Sequence, residues 1–311
     1  MTYRLEALVA DTDGMDVVHA YSRLEAAGAR VRVLETKDRD AIAAAGRTAD
    51  VLLVSSAPVP AHLLKAMPRL KLVSCMSIGT DHVDVEAATS MGIRVSRLAD
   101  VSVDSVAAHA LTLALAAIRD LPECIEIAKS ADWSIRRDIR PLDPSQLVLG
   151  VVGLGRIGRR FVEMASGVFS RVVGFDAIPA ECDGVIQRCG PEMLARQCDV
   201  VSIHLPSTEE TRAIVRERIL PNLRRGSTLV NVSRGDLLPK EELLALLDSG
   251  GLRSVALDVL HPEPPAADDV LLTHPRVIVT PHYAFLSNRT AAEYPNLQVD
   301  AVLDFFQLPR I

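Results

Sequence analysis

Apolar positions along this chain fall into short unbroken runs, separated by longer stretches in which apolar residues recur every three or four positions. The first series runs Leu5–Ala10, Asp16–Ala27, Val31–Leu34, Asp38–Ala45, Val51–Ser55, Ala61–Ala66, Leu70–Ser74, Val85–Ser90 and Ile93–Ser96. Unbroken apolar runs mark strands covered on both faces, and their alternation with helical periodicity predicts a parallel sheet wound with helices. After two long helix-like segments, Val103–Ile118 and Leu121–Ser130, a second series follows, with strands at Leu147–Val152, Arg171–Asp176, Val200–His204, Thr228–Val232, Arg253–Leu257 and Val277–Thr280. Residues Asp132–Gln146, polar and proline-containing, read as the connecting loop. The last helix-like stretch, Asn288–Phe306, has no strand after it, so it is expected to cross back and cover the first unit, making that domain discontinuous. Pro295 in its middle predicts a break or kink near Tyr294.

Composition narrows the classes. A chain of 311 residues, 49% hydrophobic, is long enough for two cores. A net charge of −6 with a single tryptophan supplies neither a basic stripe nor a stacking platform, which argues against nucleic acid as a partner. Five cysteines (Cys75, Cys124, Cys182, Cys189 and Cys198) lack any Cys-x-x-Cys spacing, and reduced thiols in a cytoplasm are expected. The longest apolar stretch, around Val106–Ile118, is interrupted by His109 and Thr112 and is too short for a membrane span, so no membrane association is expected.

Gly153-Leu154-Gly155-Arg156-Ile157-Gly158 directly follows one apolar strand and opens an amphipathic stretch, Arg159–Ala165. Gly153 permits a tight turn, Gly155 lets backbone approach a pyrophosphate, and Gly158 allows helix to pack on strand, with the anion at the helix N-terminus. Asp176 ends the next strand, where a carboxylate can accept from an adenosine ribose and repel a 2′-phosphate, favouring NAD over NADP.

Three polar residues follow three later strands: Arg234 in Asn231-Val232-Ser233-Arg234-Gly235, Glu263 in the proline-rich stretch after Asp258, and His282 in Thr280-Pro281-His282. All three are expected at the carboxyl edge of the glycine-loop sheet, where open α/β folds bind ligands. A guanidinium can hold a carboxylate, an imidazole can exchange a proton with a carbonyl or alcohol, and a carboxylate behind it orients the ring. His204, at a strand end near the cofactor edge, and His261 and His274, beside prolines, are given no proton-transfer role. Asp81, His82, Asp84 and Glu86 superficially resemble a metal cluster, but Asp84 is placed to cap a helix starting near Val85, and no metal is expected.

These motifs, in this order, resemble the D-isomer-specific 2-hydroxyacid dehydrogenases, most plainly from Lys71 to Ala284. The resemblance implies two doubly wound parallel-sheet domains, Rossmann-like and flavodoxin-like, with the active site in the cleft between them. It implies an NAD-binding domain over 100–285 and a substrate-binding domain over 1–99 plus 286–311. NAD would be held by Gly153, Gly155, Arg156, Ile157, Gly158, Asp176, His204, Pro206, Val232, Ser233, Asp258 and His282. Arg234 would bind the carboxylate and carbonyl of a small 2-oxo acid, His282 would be the acid/base and Glu263 its partner. Backbone N–H groups of Ile78 and Gly79 would hold the substrate carboxylate, and Phe285 would line the substrate pocket. A homodimer through the cofactor domain is implied.

Departures from the pattern are local: Ala108 replaces the glutamate usual before His109, Ser77 replaces a frequent glycine, and Pro144-Ser145-Gln146-Leu147 lacks the usual glycine-lysine lead-in. With no stretch beyond the last helix-like segment, feedback control of the phosphoglycerate dehydrogenase kind is not expected. Two other functions fit the same frame: an NAD(H)-sensing scaffold resembling the C-terminal-binding proteins, suggested by Phe285, and a phosphite- or formate-type dehydrogenase.

Overall fold

A computed structural model describes residues 5–98, 101–134, 139–177 and 186–310. The chain divides into two compact units, Met1–Val101 with Leu286–Ile311, and Ser102–Phe285. Cys182 lies outside the described residues.

In the first unit, strands β1 (Leu5–Val9), β2 (Ala29–Val33), β3 (Val51–Val54), β4 (Leu72–Cys75) and β5 (Arg94–Ser96) alternate with helices α1 (Val18–Ala26), α2 (Arg39–Gly46), α3 (Ala61–Lys65) and α4 (Val85–Ser90). The sheet is parallel throughout, ordered β2-β1-β3-β4-β5, the flavodoxin-like arrangement. Alternate residues of the central strands feed opposite cores: Leu8, Leu52, Val54 and Val73 on one face, Ala7, Val9, Val51, Leu53 and Leu72 on the other. Double-sided burial is why these strands read as unbroken apolar runs. Asp84 caps α4 by accepting from the Ala87 N–H at 2.9 Å.

The second unit opens with α5 (Val103–Ile118) and α6 (Leu121–Ser130). Seven parallel strands follow: β6 (Val148–Val152), β7 (Arg171–Phe175), β8 (Gln187–Arg188), β9 (Val200–Ile203), β10 (Ser227–Asn231), β11 (Leu252–Leu257) and β12 (Val277–Val279). Between them lie α7 (Arg156–Ala165), α8 (Pro191–Gln197), α9 (Glu209–Ala213), continued by a π-helical turn at Ile214–Ile219, α10 (Lys240–Asp248) and α11 (Val270–Thr273). The order β12-β11-β10-β9-β6-β7-β8 reverses between β6 and β9, the switch point at which doubly wound sheets open a crevice. One face buries Leu149, Val151, Val200 and Val230 under α5 and α7, and the other buries Val201, Ile203, Leu229 and Leu257.

The final helix, α12 (Asn288–Phe305), completes the first unit, packing Val299, Val302 and Leu303, all fully buried, against β1, β3 and β4 residues. Buried Gln298 locks it down: its amide donates to the Val54 and Ser74 carbonyls (3.1 and 2.8 Å) and accepts from the Tyr21 hydroxyl at 3.1 Å. Of the break or kink expected at Pro295, the break does not occur, for the helix runs through it. Proline inside a helix costs about 3 kcal/mol, whereas each fully buried aliphatic side chain contributes about 1.5–3 kcal/mol, so three of them outweigh it. No helix among the described residues is long and apolar enough to cross a membrane.

Candidate active site

Sheet register sets the site. Val152, Ile203, Asn231, Leu257 and Val279 lie in one row across β6, β9, β10, β11 and β12. The residues that follow them (Gly153, His204, Val232, Asp258 and Thr280) therefore share the carboxyl edge, and every candidate residue of this unit hangs from that edge or its loops.

The glycine loop is as tight as its sequence requires. Gly153 has φ +97°, and a Cβ there would lie 2.7 Å from the His204 carbonyl; one on Gly158 would lie 2.0 Å from the Gly153 oxygen. Gly155, the N-cap of α7, meets nothing within 4 Å, so its open face and the helix N-terminus form a cradle that a pyrophosphate fits. Arg156 beside it is exposed and Ile157 half-buried. Asp176 accepts from the Leu154 N–H at 2.6 Å, so the carboxylate expected at the ribose also braces the loop. His204 packs on Phe161 with ring centroids 4.9 Å apart and pairs its Nε2 with Ser202 Oγ at 2.9 Å. Burial pulls its pKa down to about 3, keeping it neutral. Pro206 is exposed two residues on, and its carbonyl accepts from Thr211 Oγ1.

The Arg234 loop is folded by its own polar groups. Buried Asn231 accepts from the Ser233 N–H and donates to the Arg234 carbonyl, while Ser233 Oγ donates to Ile203 O at 3.0 Å. Val232 is buried. Gly235 explains the motif's last glycine: a Cβ there would fall 2.1 Å from the Leu260 carbonyl carbon and oxygen, so only glycine lets this loop lie against the one carrying Glu263. The Arg234 guanidinium donates to Ser233 O at 2.7 Å, and its charge is felt at Glu263.

Glu263 and His282 are paired. Nδ1 of His282 lies 2.7 Å from Oε2 of Glu263, and the other carboxylate oxygen accepts from the Leu260 N–H at 2.8 Å. Burial pushes the Glu263 carboxyl up, but hydrogen bonding and charge from His282, the Leu260 amide and Arg234 outweigh it and hold the group below its ordinary value. Both side chains stay accessible, 45% exposed for His282 and 36% for Glu263. The Phe285 ring stands edge-on to His282, centroids 6.4 Å apart. His282 has φ +50°, a left-handed conformation that costs a non-glycine residue about 1–3 kcal/mol unless its surroundings enforce it.

Asp258 is the enforcer. Almost wholly buried, its carboxylate accepts from Thr280 Oγ1 (2.5 Å) and from the N–H groups of Tyr283 (2.8 Å) and Ala284 (2.9 Å), while its carbonyl accepts from the His282 N–H at 2.7 Å. Burial alone would raise its pKa, yet the bonds from His109, Thr280 and the two amides hold it below the ordinary value. Sequence reading placed Asp258 among cofactor contacts and did not anticipate this grip on the turn, nor the contact of His109 with Thr280. The one signal was a histidine set in the apolar run Val106–Leu111 of α5.

In the first unit, Ile78 and Gly79 follow β4 and are half-buried, and Ser77 Oγ donates to the Gly79 carbonyl at 2.7 Å. Asp11, buried at the end of β1, accepts from three successive N–H groups, those of Ser55, Ser56 and Ala57. No group of three or more histidine, cysteine, aspartate or glutamate side chains among the described residues could hold a metal ion.

Residues 111–284 match the model of the D-isomer specific 2-hydroxyacid dehydrogenase NAD binding domain. The chain is 31% identical over 254 residues to a glyoxylate reductase of Korarchaeum cryptofilum, covering 80% of this chain and 76% of that one. It is 36% identical over 256 residues to D-3-phosphoglycerate dehydrogenase of Mycobacterium tuberculosis, covering 81% of this chain and 48% of that protein. The chain thus spans about half the length of the D-3-phosphoglycerate dehydrogenases it matches. The D-lactate dehydrogenase of Aquifex aeolicus, solved with NAD and lactic acid, superposes with a TM-score of 0.88 at 25% identity, covering 97% of this chain and 95% of that one. The protein belongs to the D-isomer specific 2-hydroxyacid dehydrogenase family. Its second unit carries that family's NAD-binding module.

Proposed function

We propose that the protein is an NAD-dependent oxidoreductase interconverting a 2-oxo acid and a D-2-hydroxy acid. The observation that carries this reading is the Glu263–His282 pair, 2.7 Å apart on the sheet edge that also bears the glycine loop and Arg234. In this reading unit 102–285 binds NAD, and the unit built from 1–101 and 286–311 binds the substrate, with the Ile78 and Gly79 amides as carboxylate donors.

When bound, NADH supplies hydride to the carbonyl carbon. Gly153, Gly155 and Gly158 admit its pyrophosphate to the N-terminus of α7, and Asp176 takes the ribose hydroxyls. Arg234 holds the substrate carboxylate and polarises its carbonyl. His282 Nε2 gives its proton to the oxygen as negative charge develops there, and Glu263 at Nδ1 keeps the ring oriented. In oxidation the neutral ring takes the proton back. Phe285, edge-on to His282, borders the space for the substrate side chain.

The working form is proposed to be a cytoplasmic homodimer. No residue of α6 is buried, and Leu121 and Ile125 are exposed on it, an apolar face that a second copy would cover. Size-exclusion chromatography with light scattering checks the dimer, and a Leu121→Glu/Ile125→Glu variant should run as a monomer. The activity is tested by NADH oxidation against glyoxylate, hydroxypyruvate, pyruvate, phenylpyruvate and branched 2-oxo acids, with His282→Ala as the control. A parent that reduces none of them, yet oxidises formate or phosphite, would replace this reading.

A further inference from the structure

We propose that His109, a residue of α5 far from His282 in sequence, is a positioning residue that holds the His282 turn through Thr280 and Asp258. The inference rests on the reading of His282 as the acid/base.

Hydrogen bonding around Thr280 fixes the direction of the chain. Its Oγ1 lies 2.5 Å from Asp258 Oδ1, and a carboxylate held below its ordinary pKa is an acceptor, so the hydroxyl proton points there. The same oxygen lies 3.0 Å from His109 Nε2, which must therefore carry hydrogen and donate. Nε2 is also 3.4 Å from Asp258 Oδ1, and the Tyr283 ring stands edge-on to the His109 ring, centroids 6.0 Å apart. The His109 side chain is only 18% exposed, and the helix bearing it is anchored in the core by Val106, Ala107, Ala110, Leu113 and Ala114.

Asp258 transmits this anchoring to the catalytic turn. Its carboxylate holds Thr280 on one side of His282 and the Tyr283 and Ala284 amides on the other, and its carbonyl holds the His282 amide itself. His282 sits at φ +50°, a conformation that persists only when its neighbours enforce it. Remove the His109 donor and Thr280 loses its outer restraint. The Thr280 hydroxyl can then rotate away from Asp258, and the turn loosens around a ring that must present Nε2 within reach of a carbonyl oxygen. Misplacement of that ring reduces the rate of proton transfer more than it reduces binding.

The test compares His109→Leu, which removes the donor; His109→Gln, whose amide N–H reaches the position of Nε2; Thr280→Val; and the His109→Leu/Thr280→Val double variant. We expect His109→Leu to lower kcat for 2-oxo acid reduction about tenfold, with KM and the Kd for NADH within about twofold of the parent. His109→Gln should restore most of that loss. The double variant should be no slower than the worse single variant, because both cut one chain. A readout independent of turnover is the downfield NMR signal of the His282 Nδ1 proton in its bond to Glu263: it should broaden in His109→Leu and Thr280→Val and stay sharp in His109→Gln. Parent-like kcat and a sharp signal in His109→Leu would overturn the proposal, as would a Gln variant as impaired as Leu, or losses that multiply in the double variant. If His109→Leu fails to fold, Thr280→Val and His109→Gln decide on the same criteria. Should the parent reduce no 2-oxo acid, the functional reading fails, while the NMR signal still judges the link from His109 to His282.

Discussion

Glu263 grips His282 from behind: Oε2 meets Nδ1 at 2.7 Å while Oε1 is anchored on the Leu260 amide, which in the proposed reaction leaves Nε2 as the nitrogen for proton exchange. A carboxylate tied at both oxygens cannot swing away, so its charge acts on the ring at a fixed distance. Glu263→Gln keeps the size and a hydrogen-bonding group but removes the charge. A neutral amide holds the ring less firmly and cannot offset the charge on the imidazolium, so kcat for reduction should fall by about 10- to 100-fold with the Kd for NADH little changed. Arg234→Gln should instead act chiefly on KM, lowering kcat/KM by about 10- to 100-fold through loss of a charged hydrogen bond to the substrate. Parent-like kcat in Glu263→Gln would sink the assignment.

Asp258 makes a prediction about stability. Its folded pKa lies below the ordinary value of 3.8, so its carboxylate contributes stability that is fully present above that value and lost as pH falls through the lower folded pKa. Asp258→Asn turns an amide N–H toward donors already aimed at it and should cost about 3 kcal/mol at neutral pH. Thermal melts of parent and variant should differ by several degrees at pH 7, and the gap should begin to close only as pH falls below 3.8. A gap that stays constant with pH would mean the carboxylate's charge is not what holds the turn.

Cofactor choice turns on Asp176. A 2′-phosphate brought beside this carboxylate meets like charge, so NADH should bind at least about tenfold tighter than NADPH, a difference of about 1.4 kcal/mol. Because Asp176 also braces the Leu154 amide, Asp176→Ala should weaken NADH binding as well as narrow the preference. Isothermal titration with both cofactors measures this directly, and equal affinities in the parent would remove Asp176 from the ribose site.

Phe285 is expected to select the substrate side chain. Its ring stands edge-on to His282 and packs against the buried cluster under α5, so it is a fixed wall. Phe285→Ala should alter the ranking of 2-oxo acids, reducing kcat/KM for bulky apolar ones by about tenfold while changing glyoxylate little. An unchanged ranking would place the ring outside the pocket.

Legibility in the sequence followed how local each cause is. Strands such as Val51–Val54 and Val200–Ile203 announce themselves because burial on both faces demands continuous apolar residues, and the glycine loop because three close approaches exclude any side chain. Arg234, Glu263 and His282 could be placed on one edge because parallel strands all end there. Pro295 does not end the helix because a local rule is outweighed by the burial of Val299, Val302 and Leu303, which depends on strands nearly the whole chain away. His109 was passed over for a similar reason. Its meaning comes from Thr280, 171 positions later, and no periodicity joins the two.

The return of α12 to the first unit has a consequence for synthesis. Gln298, whose amide caps the Val54 and Ser74 carbonyls, is translated only after all of residues 102–285. On the ribosome the first unit therefore cannot be completed before the second emerges: part of its α1 face stays open where Val299, Val302 and Leu303 will lie, while the contiguous second unit has every residue it needs. The first unit can be completed only after the second has emerged, and the part of the α1 face that α12 covers is the surface a nascent chain must keep from other partners until that helix arrives.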